Sequence, residues 1–238
     1  MKVIKVKNEA ELSELTGEML IGLMLSKQNR YNLSITAGNT PKGTYEYLIP
    51  RVKNNPAFEH VHYYNFDEVP SNDPNFLGKT MTNLKQQYLD PAQISEDRIH
   101  HLNSENYKEH DARIAEVGGI DAMLMGIGAD SHYCGNVPGS TKFEDQTVWV
   151  DASKGELHEK LSQEFGDPSL VPDHWVTMGP RSVMAVHKLI LIALGADKAE
   201  AIWHLVEGPV DIKYPASILK LHPEITVIAD EAAVSKLS

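Results

Sequence analysis

The sequence predicts an α/β protein built on one doubly wound, mostly parallel sheet, and three observations carry that expectation. Short apolar runs alternate with stretches of helical period from Lys2 to Ala229, the pattern of repeated strand–helix units. The run Ala122 to Met125 has no polar break and meets Gly126 and Gly128 at once, as a strand buried on both faces does when it ends in a tight turn. The chain of 238 residues suits one α/β domain spanning 1–238 around one core, and it shows no internal repeat and no low-complexity segment.

Taken in order, residues 2 to 6 alternate like a half-buried strand, and Asn8 offers an N-cap to a helix bearing Leu12, Leu15, Met19, Leu20 and Leu23 at helical spacing. Leu33 and Ile35 mark the next strand. Gly38, Asn39, Thr40 and Pro41 make a tight turn, and a helix starts near Lys42. Pro50 and Pro56 are read as a loop before a strand from His62 to Phe66, which ends on Asp67, Glu68, Val69 and Pro70. Residues 71 to 80 are polar and broken by Gly and Pro, long enough for a lid. Helices follow through Leu84–Leu89, stopped by Pro91, and over about Asn106–Val117, stopped by Gly118 and Gly119. The charged stretch Ser153–Asp167 reads as surface helix plus loop. Beyond it come a strand at Val176, a helix start near Arg181, a strand Lys188–Leu194 and a helix from Ala196. A last helix near Ala216–Leu221 and a strand Ile225–Ala229 close the series.

Candidate chemistry gathers where strands end, because ligands in open α/β sheets bind outside the carboxyl ends of the strands. Asp130 and His132 lie two apart in the turn after the central strand. They read either as an acid/base pair, the carboxylate fixing the imidazole tautomer, or as a turn Asp capping amides beside a surface His. Asp67 and Glu68 read either as functional carboxylates or as solvated turn residues. The run Thr36–Pro41 leads into a helix N-terminus whose unpaired amides, with the Thr36 and Thr40 hydroxyls, form an anion site or else an ordinary βα turn. It does not match GxxxxGK[ST]. Lys198 falls in the first turn of its helix, where a cation opposes the helix dipole by a few tenths of a kcal/mol, so it is either solvated or close to an anion.

Composition narrows the partners. Net charge is −11 with a pI near 5.4, which argues against nucleic acid but not against a small phosphorylated ligand held by local donors. No apolar run approaches the ~20 residues that span a bilayer, so no membrane partner is expected. The start lacks the apolar centre of a signal peptide, and Cys134 is the single cysteine, so a cytoplasmic location is expected. The eleven histidines, His60, His62, His100 and His101 among them, show no metal-ligand spacing; neither a metal nor a cofactor is expected.

The segments ITAGNTP, NFDE, GIGADSH and GADKA, with the tail SILKLHPEITVIAD, resemble in order and spacing the family of glucosamine-6-phosphate deaminases and 6-phosphogluconolactonases. The resemblance implies a single Rossmann-like three-layer α/β/α domain. It implies a phosphate loop at Ala37, Gly38, Asn39, Thr40 and Pro41, with Lys198 as a phosphate-binding cation. It implies Asp67 as the base that moves a proton between C1 and C2 of an open-chain sugar, and His132, oriented by Asp130, as the ring-opening acid/base. The chain departs from the deaminase pattern at Ser131, where the family has Gly, and at Val137, where it has a Glu five positions after the His. The family's phosphate-binding Arg aligns with Ser162, leaving Lys160 and Arg181 as substitutes. NFDE places the chain on the deaminase side. The expected function is that of a glucosamine-6-phosphate deaminase/isomerase-like enzyme, aldose–ketose isomerisation of a hexose 6-phosphate with or without deamination, Val137 pointing to poor release of ammonia. The alternatives are lactone hydrolysis of the 6-phosphogluconolactonase type and a non-catalytic phosphosugar sensor. Assembly as a homo-oligomer is left open.

Overall fold

The computed structural model describes residues 1–71, 73, 76–165 and 167–238. The chain opens with β1 (Lys2–Val6), α1 (Glu9–Leu25), β2 (Tyr31–Ser34), α2 (Lys42–Val52) and β3 (Val61–Tyr64). Next come β4 (Asp67–Glu68), α3 (Lys79–Leu84), β5 (Ile99–His100), α4 (Tyr107–Glu116) and β6 (Ala122–Met125). The last third holds β7 (Val148–Asp151), α5 (Gly155–Glu164), β8 (His174–Thr177), α6 (Pro180–Met184), β9 (Leu189–Ala193), α7 (Ala199–Val206) and β10 (Ile225–Asp230).

Seven strands form one parallel sheet in the order β1-β10-β9-β6-β2-β3-β5. Strand alternation sends successive side chains to opposite faces. Ala122 and Leu124 join Leu12, Leu20, Tyr45 and Leu48 on the face covered by α1 and α2. Met123 and Met125 join Val183, Ile202 and Leu205 on the face covered by α6 and α7. This is the mostly parallel, Rossmann-like α/β architecture the sequence predicts, with helices on both sides. Each fully buried Leu, Ile or Met contributes about 1.5–3 kcal/mol, so the continuously apolar β6 and β9 are what this layering needs.

Local signals account for most element ends. The Asn8 side chain accepts from the Glu11 amide at 3.0 Å, and the Glu11 carboxylate returns to the Lys7 amide at 2.8 Å, fixing the start of α1. Pro50 does not mark a loop: α2 runs through it to Val52. The ring sits in the last turn, where a missing N–H removes one bond, and Leu48 and Val52 on either side are buried in the core. The helix after the lid region widens into a π-helical turn over Lys85–Leu89, which keeps Tyr88 and Leu89 buried. The segment Pro215–Leu221 is a 3-10 helix rather than an α-helix. Of the lid region 71–80, positions 72, 74 and 75 lie outside the described residues.

The strand at Val176 is not part of the parallel series. β8 pairs antiparallel with both β4 and β7, making a small second sheet in the order β4-β8-β7. In the large sheet, β2 and β6 are neighbours from which the chain order runs outward both ways. The carboxyl ends of those two strands therefore flank a topological switch point, the place where such sheets open a crevice.

Candidate active site

A cleft of about 680 Å³ opens at that switch point, and its wall includes Ala37, Gly38, Asn39, Thr40, Asp67, Asp130, His132 and Lys198 from the sequence reading, whereas Glu68 is not part of it. These lining residues come from the loop after β2, from β4, from the turn after β6 and from the turn before α7, so one crevice collects groups from four separate stretches of chain.

The turn after β6 is held tightly. The Gly128 amide donates to the His132 carbonyl at 2.8 Å, the Ser131 amide to the Gly128 carbonyl at 2.9 Å, and the Ala216 amide to the Ser131 carbonyl at 2.9 Å. Within it His132 Nδ1 lies 2.5 Å from Asp130 Oδ1, which also accepts from the His132 amide at 3.2 Å. A β-carbon on Gly128 would lie 2.1 Å from His132 Nδ1, so only glycine lets the pair close over the strand end. Burial raises the Asp130 carboxyl, but the hydrogen bonds from His132 and Lys160 outweigh it and hold the group well below the usual carboxylate range. The carboxylate is therefore ionised, His132 Nδ1 carries the proton, and Nε2 is the nitrogen that can take or give one. Ser131 holds φ of 68°, the left-handed region, and its buried Oγ has no partner among the described residues.

The two carboxylates of β4 part company. Asp67 lines the cleft and accepts from Thr80 Oγ1 at 3.0 Å. Glu68 is 1% exposed and accepts at Oε1 from the amides of Val69 and Thr80 at 3.0 and 2.7 Å and at Oε2 from the Met81 amide at 2.9 Å, capping α3; His101 Nε2 lies 2.9 Å from the same Oε2. Asp67 is thus the cleft carboxylate and Glu68 a structural one. Cys134 lies beside them on the wall, and burial together with the Asp67 charge pushes its thiol well up, keeping it protonated.

In the loop after β2, the amides of Asn39 and Thr40 have no protein acceptor among the described residues, while the Gly38 amide donates to Gln87 Oε1 at 3.3 Å. Lys198 sits at the junction of a 3-10 turn and α7, 2.9 Å from the Asp197 carboxylate, which offsets the unfavourable helix dipole. Of the two substitutes for the family's Arg, Lys160 reaches the cleft and pairs with Asp130 Oδ2. Arg181 is exposed and is not part of the cleft lining, and the Ser162 hydroxyl turns back to the His158 carbonyl at 2.8 Å.

Val137 lines the cleft and packs on the apolar cluster of Val150, Leu161 and Trp175. Sequence reasoning missed Lys79, Thr80, Asn83, Gln163 and Trp175, which also line it. Gly78 just ahead of Lys79 and Thr80 was the available signal; Trp175 had none, because β8 joins the site through the second sheet. Among the described residues no group of three or more His, Cys, Asp and Glu is arranged to hold a metal ion. Nor is any helix among them long and apolar enough to cross a membrane.

Residues 15–228 match the family described as glucosamine-6-phosphate isomerases/6-phosphogluconolactonase. The chain belongs to that family. The glucosamine-6-phosphate deaminase of Shouchella clausii is 34% identical over 245 residues, covering 99% of this chain and 97% of its own. Glucosamine-6-phosphate deaminase 2 of Bacillus subtilis is 33% identical over 245 residues, covering 100% and 98%. Among solved structures, a monomeric glucosamine-6-phosphate deaminase superposes with a TM-score of 0.84 at 26% identity over 99% of each chain. The 6-phosphogluconolactonase of Trypanosoma cruzi superposes with a TM-score of 0.76 at 18% identity, covering 100% of this chain and 97% of that one, a likeness of fold alone. The match to this family agrees with the four motifs read in the sequence.

Proposed function

We propose that the protein is a sugar-phosphate enzyme of the glucosamine-6-phosphate deaminase/isomerase type, which interconverts the aldose and ketose forms of a hexose 6-phosphate in this cleft. One observation carries the reading: Asp67 and the Asp130–His132 pair line the same crevice as the loop Ala37–Thr40 and Lys198. The phosphate is received by the Asn39 and Thr40 amides and by Lys198. In ring opening His132 Nε2 takes the proton of the C1 hydroxyl and returns one to the ring oxygen as the C1–O5 bond breaks and C1=O forms. The imidazolium formed in passing leans on the ionised Asp130. Asp67 then removes the C2 proton to give an enediolate, the O2 hydroxyl proton passes to O1, and Asp67 returns its proton to C1, leaving the C2 ketone. A positioned acid or base of this kind contributes about 10²–10⁴-fold.

Val137 bears on the ring-opening step, where the deaminase pattern has a Glu. An apolar side chain there leaves His132 with Asp130 as its carboxylate partner, and Asp130 is already shared with Lys160. A less stabilised imidazolium slows ring opening of an amino sugar. The test is a screen of purified protein with hexose 6-phosphates, glucosamine 6-phosphate and 6-phosphogluconolactone, following ketose, ammonia and lactone separately. Ketose formation with little ammonia supports the proposal. Lactone hydrolysis without ketose transfers it to the lactonase reading, and phosphosugar binding without any product to the sensor reading.

A further inference from the structure

We infer that Thr80 is a positioning residue for Asp67, and that Glu68 serves to hold Thr80 in place. The inference rests on the reading of Asp67 as the base. Asp67 alone does not define where its oxygens point, since a carboxylate turns freely about its last torsion. Thr80 Oγ1 donates to Oδ1 at 3.0 Å, which ties the carboxylate to the start of α3. Thr80 is the second residue of α3, so its hydroxyl stays on Asp67 only while its surroundings hold that end of the helix in place.

Those surroundings are built from the residue next to the base. Glu68 fixes the Thr80 main chain through its amide at 2.7 Å and the Met81 amide at 2.9 Å, and is itself tied to His101 at 2.9 Å. The Lys79 amide closes the loop onto the Val69 carbonyl at 2.9 Å. At the other end of the bond, Asn65 Nδ2 holds the Asp67 carbonyl at 2.8 Å, and β4 is pinned to β8 with Asp67 opposite Thr177. Gly78 completes the arrangement: with φ of 111° and an added β-carbon 2.3 Å from Glu68 Cδ, it is the residue that lets the Glu68 carboxylate dock at the start of α3. One dipeptide thus supplies the reacting carboxylate and the clamp that aims it. The whole device brings α3 to the cleft at a fixed distance from the base.

The experiment compares Thr80→Val, Thr80→Ser and Asp67→Asn for solvent-deuterium exchange at C2 of an aldose 6-phosphate, for KM, and for calorimetric binding of the same ligand. Thr80→Val keeps the shape of the side chain and removes the donor. Its exchange rate and kcat are expected to fall about 10- to 100-fold with KM and Kd within about threefold, the split of a misaimed base rather than lost binding. Thr80→Ser restores the donor and is expected to recover most of the rate. Thermal melts show whether each variant is folded, and Thr80→Ala repeats the comparison if Thr80→Val is not. Unchanged turnover in the valine variant, with Asp67→Asn inactive, overturns the positioning role and leaves the base assignment standing. A change in KM alone also overturns it, by making Thr80 a substrate contact. Full exchange in Asp67→Asn removes the base itself, and the inference with it.

Discussion

Two carboxylate–imidazole pairs stand close to the same cleft, and they are alike in chemistry and opposite in use. Asp130 and His132 sit 2.5 Å apart with side chains 33% and 42% exposed; Glu68 and His101 sit 2.9 Å apart at 1% and 22%. The Glu68 carboxylate takes three backbone amides and His101 occupies the fourth acceptor site, so it has no lone pair left for a substrate and would leave unpaired donors if it moved. Asp130 takes side-chain partners, His132 and Lys160, and leaves one imidazole nitrogen to act. The number of backbone donors a carboxylate has absorbed separates a clamp from a reactive pair better than its neighbourhood or its spacing does.

The sharpest way to break that comparison is to treat both imidazoles alike. His132→Gln should lower turnover on the ring-closed sugar phosphate by about 10²–10⁴-fold, while His101→Gln should leave most activity, both read by steady-state assay. Comparable losses would erase the distinction. Next in size is Glu68→Ala, which should destabilise the fold by about 3 kcal/mol in chemical denaturation, because it strands buried amides at the start of α3. Ser131→Gly should gain about 1 kcal/mol in the same measurement, by relieving a left-handed φ and removing a buried hydroxyl without a partner.

The smallest effect is a pH dependence. Asp130 is held below its ordinary range in the folded protein, so the folded state favours its ionised form. That contribution is complete above the unfolded carboxyl value of about 3.9 and is lost as pH falls toward the folded one. The stability gap between the parent and Asp130→Asn should therefore be flat near neutrality and shrink below about pH 4, as followed by melts across that range. A gap that widens on acidification would contradict the hydrogen-bond account.

Most of the large sheet was legible because its strands are continuous apolar runs ended by glycine turns, as at Ala122–Gly128, and its helices carry a clear period, as from Leu12 to Leu23. The second sheet was not. It is assembled from Asp67–Glu68, Val148–Asp151 and His174–Thr177, pieces far apart in sequence and too short to show a period. For the same reason Trp175 escaped notice as a cleft residue. Asp67 and Glu68 were visible as a pair, but their division could not be read from adjacency: it depends on which one the α3 amides reach. Thr80 was hidden inside a stretch read as a lid, since a hydroxyl's partner across twelve or more residues leaves no local trace.

The central claim is that Asp67 carries a proton at C2 of a phosphosugar bound in this cleft, and proton NMR in deuterium oxide tests it most directly. With an aldose 6-phosphate, the parent protein should wash out the C2 proton signal, while Asp67→Asn binds the same ligand by calorimetry and leaves that signal intact. Loss of the C2 signal at the parent rate in Asp67→Asn would contradict the account.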